Sequence, residues 1–199
     1  VETWRAQGYG KPLADFRNNG DGSPDSTLPY RFYVSEEHAI YLRDAIESHG
    51  VSSQALGKLM SRLAIQDLHG FHIVHCDLKP HNMLYTGSKV KLIDFNASQD
   101  MKQAKEIQGS VEMGTPGYMA KEMYDGWISY KADIYSIGVT MLEIWFGDIW
   151  PTNSGRYDKC RRYVRDYLSL LKDDNPRLHG LVKRCVSVRP DKRQTLDTI

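Results

Sequence analysis

The run His75-Cys76-Asp77-Leu78-Lys79-Pro80-His81-Asn82 puts a carboxylate, an ammonium and a carboxamide within one short stretch, and Asp94-Phe95-Asn96 follows a little further on. Carboxylate and amide oxygens are what a hard cation such as Mg²⁺ takes as ligands, and the thiol of Cys76 is not. His69, His72, His75 and Cys76 also lie close in sequence, and these residue types take zinc. Yet His69 and His72 flank Gly70, which ends a helical pattern, and Ile73-Val74 has strand composition. The four therefore read as parts of separate elements, with His75 a packed core histidine.

The surrounding pattern supplies elements that can position these groups. Ser52 or Ser53 can cap a helix whose apolar positions Leu56, Leu59, Met60, Leu63, Ala64 and Leu68 recur at helical spacing until Gly70. After the brief strand Ile73-Val74, Met83-Leu84-Tyr85 and Val90-Lys91-Leu92-Ile93 flank Thr86-Gly87-Ser88 as a β-hairpin, with Asn82 before it and Asp94 after it. Residues 95–121 lack a sustained period and read as a long surface loop. Ile134, Ile137, Val139, Met141, Leu142, Ile144 and Trp145 make one segment apolar nearly all round, the pattern of a buried helix. Tyr157 to Leu171, Pro176 to Cys185 and the end from Gln194 predict further helices. Upstream, Tyr30 to Val34 has strand composition, Ile40 to Ser48 suits a short helix ended near Gly50, and residues 1–29, rich in Gly, Asn, Asp and Pro, read as loop. The expected fold class is mainly α with a small inserted β-hairpin.

Here the motifs meet a known family. His75 to Asn82 resembles the catalytic loop H-R-D-x-x-x-x-N of eukaryotic protein kinases, and Asp94-Phe95-Asn96 resembles D-F-G, each on its expected side of a hairpin. Gly114-Thr115-Pro116-Gly117-Tyr118-Met119-Ala120-Lys121-Glu122 is similar to the G-T-x-x-Y-x-A-P-E end of a Ser/Thr kinase activation segment. Asp133-Ile134-Tyr135-Ser136-Ile137-Gly138 resembles the start of the buried helix that organises the carboxy-terminal lobe, and Arg193 resembles the late arginine that pairs with the glutamate of the activation segment, here Glu122. The resemblance implies a protein kinase-like fold, with residues 1–29 a partial or irregular amino-terminal-lobe remnant. Residues 30–199 would form the carboxy-terminal lobe with hinge, catalytic loop, activation segment and late helices.

Phosphoryl transfer asks a protein mainly to position the nucleophile and neutralise phosphate charge. By the resemblance, Asp77 accepts the proton of the substrate hydroxyl, Lys79 offers its ammonium to the transferring phosphoryl group, and Thr115 ties its hydroxyl to both. Asn82 and Asp94 would hold Mg²⁺, Leu84 would pack under the adenine of ATP, and Glu36 would lie in the hinge to which adenine bonds.

The departures are specific. Cys76 stands where most kinases carry the Arg that binds an activation-loop phosphate, which leads to the expectation of activity without that phosphorylation. Val111 lies near the usual phosphosite, and Ser110 is the nearest hydroxyl. Asn96 replaces the Gly of D-F-G, with the expectation that Asn tolerates a positive φ there. Lys121 replaces the Pro of A-P-E and leaves Glu122 in place. Gly8-Tyr9-Gly10-Lys11 lacks the third Gly of a phosphate loop and no V-A-I-K-like strand follows it, so it reads as loop.

Lys plus Arg number 26 against 25 Asp plus Glu, a net charge of +1, so no global field selects nucleic acid or an anionic membrane. No run approaches the length of a membrane span, and Val1-Glu2-Thr3-Trp4 lacks the start of a signal peptide. The 3 cysteines form no framework, which gives a reducing, intracellular compartment as the default expectation. Val1 in place of an initiator Met leads to the expectation that the chain begins inside a longer one. Two functions compete: a Ser/Thr protein kinase using ATP and Mg²⁺ on a protein substrate, and a pseudokinase that serves as a scaffold for a regulatory protein partner.

Overall fold

The computed structural model describes residues 40–41, 64–85, 90–109, 113–147, 149–150 and 157–196. Their elements follow in the order β1 (Ile40–Tyr41), α1 (Ala64–Gly70), β2 (Ile73–Val74), β3 (Met83–Tyr85), β4 (Val90–Leu92), β5 (Gln99–Asp100), β6 (Glu106–Gln108), α2 (Lys121–Tyr124), β7 (Trp127–Ser129), α3 (Tyr130–Phe146), α4 (Tyr157–Asp174) and α5 (Pro176–Cys185). Short 3-10 turns occupy Pro80–Asn82, Phe95–Ala97 and Pro190–Lys192.

Helix α3 is the axis of the described core. Ser129 caps its start by accepting from the Lys131 N–H at 3.3 Å, and the Gly147 N–H closes its end on the Glu143 carbonyl at 2.9 Å. Every residue from Ala132 to Ile144 is buried. Each buried aliphatic side chain of this run contributes about 1.5–3 kcal/mol relative to exposure. The polar residues among them are satisfied rather than stranded. Ser136 Oγ donates to the Tyr118 carbonyl at 2.7 Å, Thr140 Oγ1 to the Ser136 carbonyl at 2.8 Å, and Glu143 accepts from the Tyr118 hydroxyl.

Helices α4 and α5 cover α3 with one apolar stripe each. In α4 the stripe is Cys160, Val164, Tyr167 or Leu168, and Leu171; in α5 it is Leu178, Leu181, Val182 and Cys185. Asn175 Oδ1 caps α5 by accepting from the Leu178 N–H at 3.0 Å, and Pro176 occupies the first turn, where a missing N–H costs nothing.

Strands β3 and β4 form the expected antiparallel hairpin, with Met83 opposite Leu92, Leu84 opposite Lys91 and Tyr85 opposite Val90. Three findings depart from the sequence reading. Ile40–Tyr41 is a strand, β1, paired antiparallel with β3, where a short helix was expected. Residues 95–121 are not a bare surface loop: β5 pairs with β2, β6 pairs with β7, and Met101 is buried. Residues 193–195 are not helical and Leu196 lies in a 3-10 turn, so the described part of the segment expected as a helix from Gln194 becomes helical only at Leu196, and residues 197–199 lie outside the described residues. The expected strand from Tyr30 to Val34 and Glu36 lie outside the described residues.

Candidate active site

The loop from His75 to Asn82 is held from beneath by one buried carboxylate. Asp133, fully buried in α3, accepts the backbone N–H of His75 at 2.9 Å, that of Cys76 at 3.0 Å, and His69 Nε2–H at 2.9 Å. These donors replace the water that a carboxylate gives up on burial. They also hold Cys76 in the left-handed region, at φ 68°. The Cys76 thiol is buried and turned to the Val74 carbonyl at 3.7 Å, and burial, with the Asp133 and Asp77 charges, pushes its ionisation far up. It is a core group, not a nucleophile or metal ligand.

His75 fixes the loop from above. Its Nδ1 accepts the Asp77 N–H at 3.3 Å and its Nε2–H donates to the Ile93 carbonyl at 3.0 Å, so the ring is the neutral Nε2–H tautomer with both nitrogens used. Burial holds its pKa below the usual imidazole range.

On this frame Asp77, Lys79, Asn82 and Thr115 form one network. Asn82 Nδ2 donates to the Asp77 carbonyl at 2.8 Å and to Asp77 Oδ2 at 2.9 Å. The Lys79 ammonium lies 3.0 Å from the same Oδ2 and donates to Thr115 Oγ1 at 2.5 Å. Thr115 therefore reaches Asp77 through Lys79 rather than directly. Asp77 Oδ1 is buried and has no hydrogen-bond partner among the described residues. One carboxylate oxygen is held by two donors, and the other is buried without one.

The hairpin brings the second carboxylate to the same end as Asn82. The Ile93 N–H donates to the Asn82 carbonyl at 3.0 Å, so Asp94 begins one residue beyond a bond to Asn82. Asp94 takes φ 60° and ψ 70°. That left-handed turn sends Phe95 into the core, where its ring lies 5.0 Å from that of His75, and leaves Asp94 half-buried. The expectation for Asn96 is corrected here: the left-handed residue is Asp94, and Asn96 sits in the following 3-10 turn without a positive φ. Its side chain instead donates from Nδ2 to Asp94 Oδ1 at 2.7 Å.

These donors fit a hard cation. The Asn82 amide spends its N–H groups on Asp77, and among the described residues nothing donates to Asn82 Oδ1 or to Asp94 Oδ2. Leu84 is buried in β3, two residues past Asn82, outside the polar network, and Glu36 lies outside the described residues.

Two supporting residues escaped prediction in their roles. Asp133 carried a signal, an acidic residue in an otherwise apolar helix, though its partners are remote in sequence. Gly114, at φ 102°, lies where a Cβ would come within 2.6 Å of the Cys76 carbonyl oxygen, so the segment carrying Thr115 rests directly on the loop from His75 to Asn82. The expected ion pair is present: Arg193 and Glu122 meet through two N–H···O contacts, Nη2 to Oε2 at 2.8 Å and Nη1 to Oε1.

A helix-centred fold with this loop, hairpin and ion pair is that of a protein kinase, and the chain belongs to the protein kinase domain family, whose model matches residues 30–199. Among curated proteins it is 32% identical over 159 residues to the serine/threonine-protein kinase GRIK1 of Arabidopsis thaliana, covering 73% of this chain and 39% of that protein. It is 30% identical over 140 residues to the membrane-associated tyrosine- and threonine-specific cdc2-inhibitory kinase wee-1.3 of Caenorhabditis briggsae, covering 68% and 21%. With the serine/threonine-protein kinase ppk34 of Schizosaccharomyces pombe it shares 28% over 142 residues, covering 69% and 40%. The chain thus spans less than half the length of each of these relatives. Among the described residues, no helix is long and apolar enough to cross a membrane.

Proposed function

We propose that this chain is the carboxy-terminal lobe, over residues 30–199, of a Ser/Thr protein kinase that transfers the terminal phosphoryl group of ATP to a protein hydroxyl, with residues 1–29 a remnant of the amino-terminal lobe. The observation that carries this reading is the divided carboxylate of Asp77, with Oδ2 bound by Asn82 and Lys79 and Oδ1 buried without a partner among the described residues. A substrate hydroxyl donating to the Asp77 carboxylate has its oxygen aligned and its proton accepted there as the new P–O bond forms and the bond to the ADP oxygen breaks. Lys79, anchored by Thr115, sets a positive charge beside the atoms that gain negative charge. Asn82 Oδ1 and Asp94 are the oxygen donors that would hold Mg²⁺, which when bound neutralises phosphate charge. Leu84 and Glu36 are assigned to the adenine of ATP.

The test is phosphate transfer from ATP and Mg²⁺ by the full-length protein, compared with Asp77→Asn and Asp94→Asn. Loss of at least about 100-fold in each is expected, the usual scale for a general base or a metal ligand. Equal signal from all three proteins overturns the assignment.

A second reading, a pseudokinase that binds a regulatory protein partner, is favoured by Cys76 in place of Arg and by Asn96 on an oxygen of Asp94. It predicts partner capture that survives Asp77→Asn, with no transfer by the wild type.

A further inference from the structure

We propose that Asn96 is a positioning residue for divalent-cation binding: its amide clamps one oxygen of Asp94 so that the other is presented to the metal. This rests on the reading of Asp94 as a ligand. Asn96 Nδ2 donates to Asp94 Oδ1 at 2.7 Å, a bond strengthened by the carboxylate charge.

Neither backbone nor packing explains an asparagine at this place. Asn96 lies in the 3-10 turn Phe95–Ala97 without a positive φ, a conformation open to most residues. It is exposed, so its side chain fills no core space. What the amide does supply is an N–H aimed at the neighbouring carboxylate, which the Gly of the D-F-G pattern cannot offer.

Two effects oppose each other. A donor on Oδ1 draws charge from the carboxylate and so weakens its hold on a cation. The same bond removes rotation about χ1 and χ2 of a half-buried side chain before the cation arrives, an ordering cost that binding otherwise carries. Oδ2 keeps both of its lone pairs, so the loss of charge there is partial, and in the proposal the ordering term is the larger.

The experiment follows Mn²⁺ binding to the full-length protein in the presence of ADP, by the paramagnetic resonance signal of free Mn²⁺. Asn96→Leu keeps the shape and removes the donor. It is expected to weaken Mn²⁺ binding about fivefold, the scale of one ordinary hydrogen bond of about 1 kcal/mol. Metal-free ADP affinity and melting temperature should stay at wild-type values. Asn96→His, at about pH 8 where the ring is neutral and its Nδ1–H can take the place of the amide N–H, should recover most of the affinity. Asp94→Asn should abolish the Mn²⁺ site. Wild-type affinity in Asn96→Leu with loss in Asp94→Asn overturns the clamp alone, as does equal weakening by Leu and His. Unchanged binding in Asp94→Asn overturns the metal reading and the clamp with it.

Discussion

His75 donates its Nε2 proton to the Ile93 carbonyl, one residue before Asp94, while its Nδ1 accepts the N–H of Asp77. A single ring thereby sets the spacing between the two carboxylates proposed for chemistry. Burial, which penalises the charged ring, outweighs the attraction of Asp133, the bond to the Ile93 carbonyl and the charges of Asp77 and Asp94, so the pKa is lowered. The unfolded chain binds this proton at about pH 6.5 and the folded chain does not, so the contribution is present above that pH and is lost as pH falls toward the folded value. Its slope approaches about 1.4 kcal/mol per pH unit. In an NMR titration the His75 ring is expected to stay neutral through pH 6.5 while an unburied histidine is half-charged there. A midpoint for His75 at or above that value would contradict the tautomer assigned here.

Arg193 uses all of its guanidinium N–H groups: on both oxygens of Glu122, and on the carbonyls of Lys131, Ser187 and Val188. Its side chain is buried. Arg193→Ala is expected to lower stability by about 3–5 kcal/mol, because Glu122 and three carbonyls lose a buried donor together. Arg193→Lys should recover little of this, since one ammonium cannot match a planar fork. Thermal unfolding of the full-length protein checks both; a Lys variant melting with the wild type would show that charge alone suffices.

How much of this was legible depended on how local the cause was. The hairpin, α3 and the stripes of α4 and α5 follow from periodicity within each segment, while Asp77, Lys79, Asn82, Asp94 and Thr115 are singled out by the resemblance of their motifs to the kinase family. Ile40–Tyr41 is apolar in a way that suits helix or strand, and β3, a partner distant in sequence, decides it. The pairing of Glu106–Gln108 with Trp127–Ser129 has one apolar residue, Ile107, on its first strand, too little alternation to announce a strand. The positive φ was expected at Asn96 because of its place in the motif, but the need to turn Phe95 inward falls on Asp94. Asp133 could be seen as a buried acid; that it holds two consecutive N–H groups of another loop could not.

Gly138 and Gly180 lie in helices α3 and α5, and the same substitution should have opposite signs at the two. A Cβ on Gly138 would come 2.6 Å from Cys185 Cβ and 2.7 Å from Val186 Cγ1. Cys185 Cβ is fixed to its backbone and cannot swing away, so α3 and α5 must separate. An overpacking cost near about 3 kcal/mol outweighs the helix-propensity gain of about 1 kcal/mol, for a net loss of about 2 kcal/mol in Gly138→Ala. A Cβ on Gly180 meets only Arg184 Nη1, at 3.8 Å. Gly180→Ala should therefore stabilise by about 0.5–1 kcal/mol. Denaturation midpoints that move in the same direction for the two variants would refute this contrast.

With a buried thiol at position 76, the loop offers no cation there to a phosphate, so the segment proposed as the activation segment is ordered by other means. Backbone pairing supplies them. Ile107 sits opposite Ile128, the Gly109 N–H donates to the Gly126 carbonyl at 2.8 Å, and Gly114 closes on the Cys76 carbonyl. None of these contacts needs a modified hydroxyl. If the proposed kinase activity holds, Ser110→Ala, at a position outside the described residues, should keep transfer within about twofold, the scale of an ordinary surface substitution. Ile107→Ala weakens the β6–β7 pair and should lower kcat more than the KM for ATP, because it loosens the segment that carries Thr115 rather than the nucleotide contacts. Transfer assays on the two variants separate the mechanisms: activity lost in Ser110→Ala and restored in Ser110→Glu would mean that a phosphate, and not the strand pair, orders the segment.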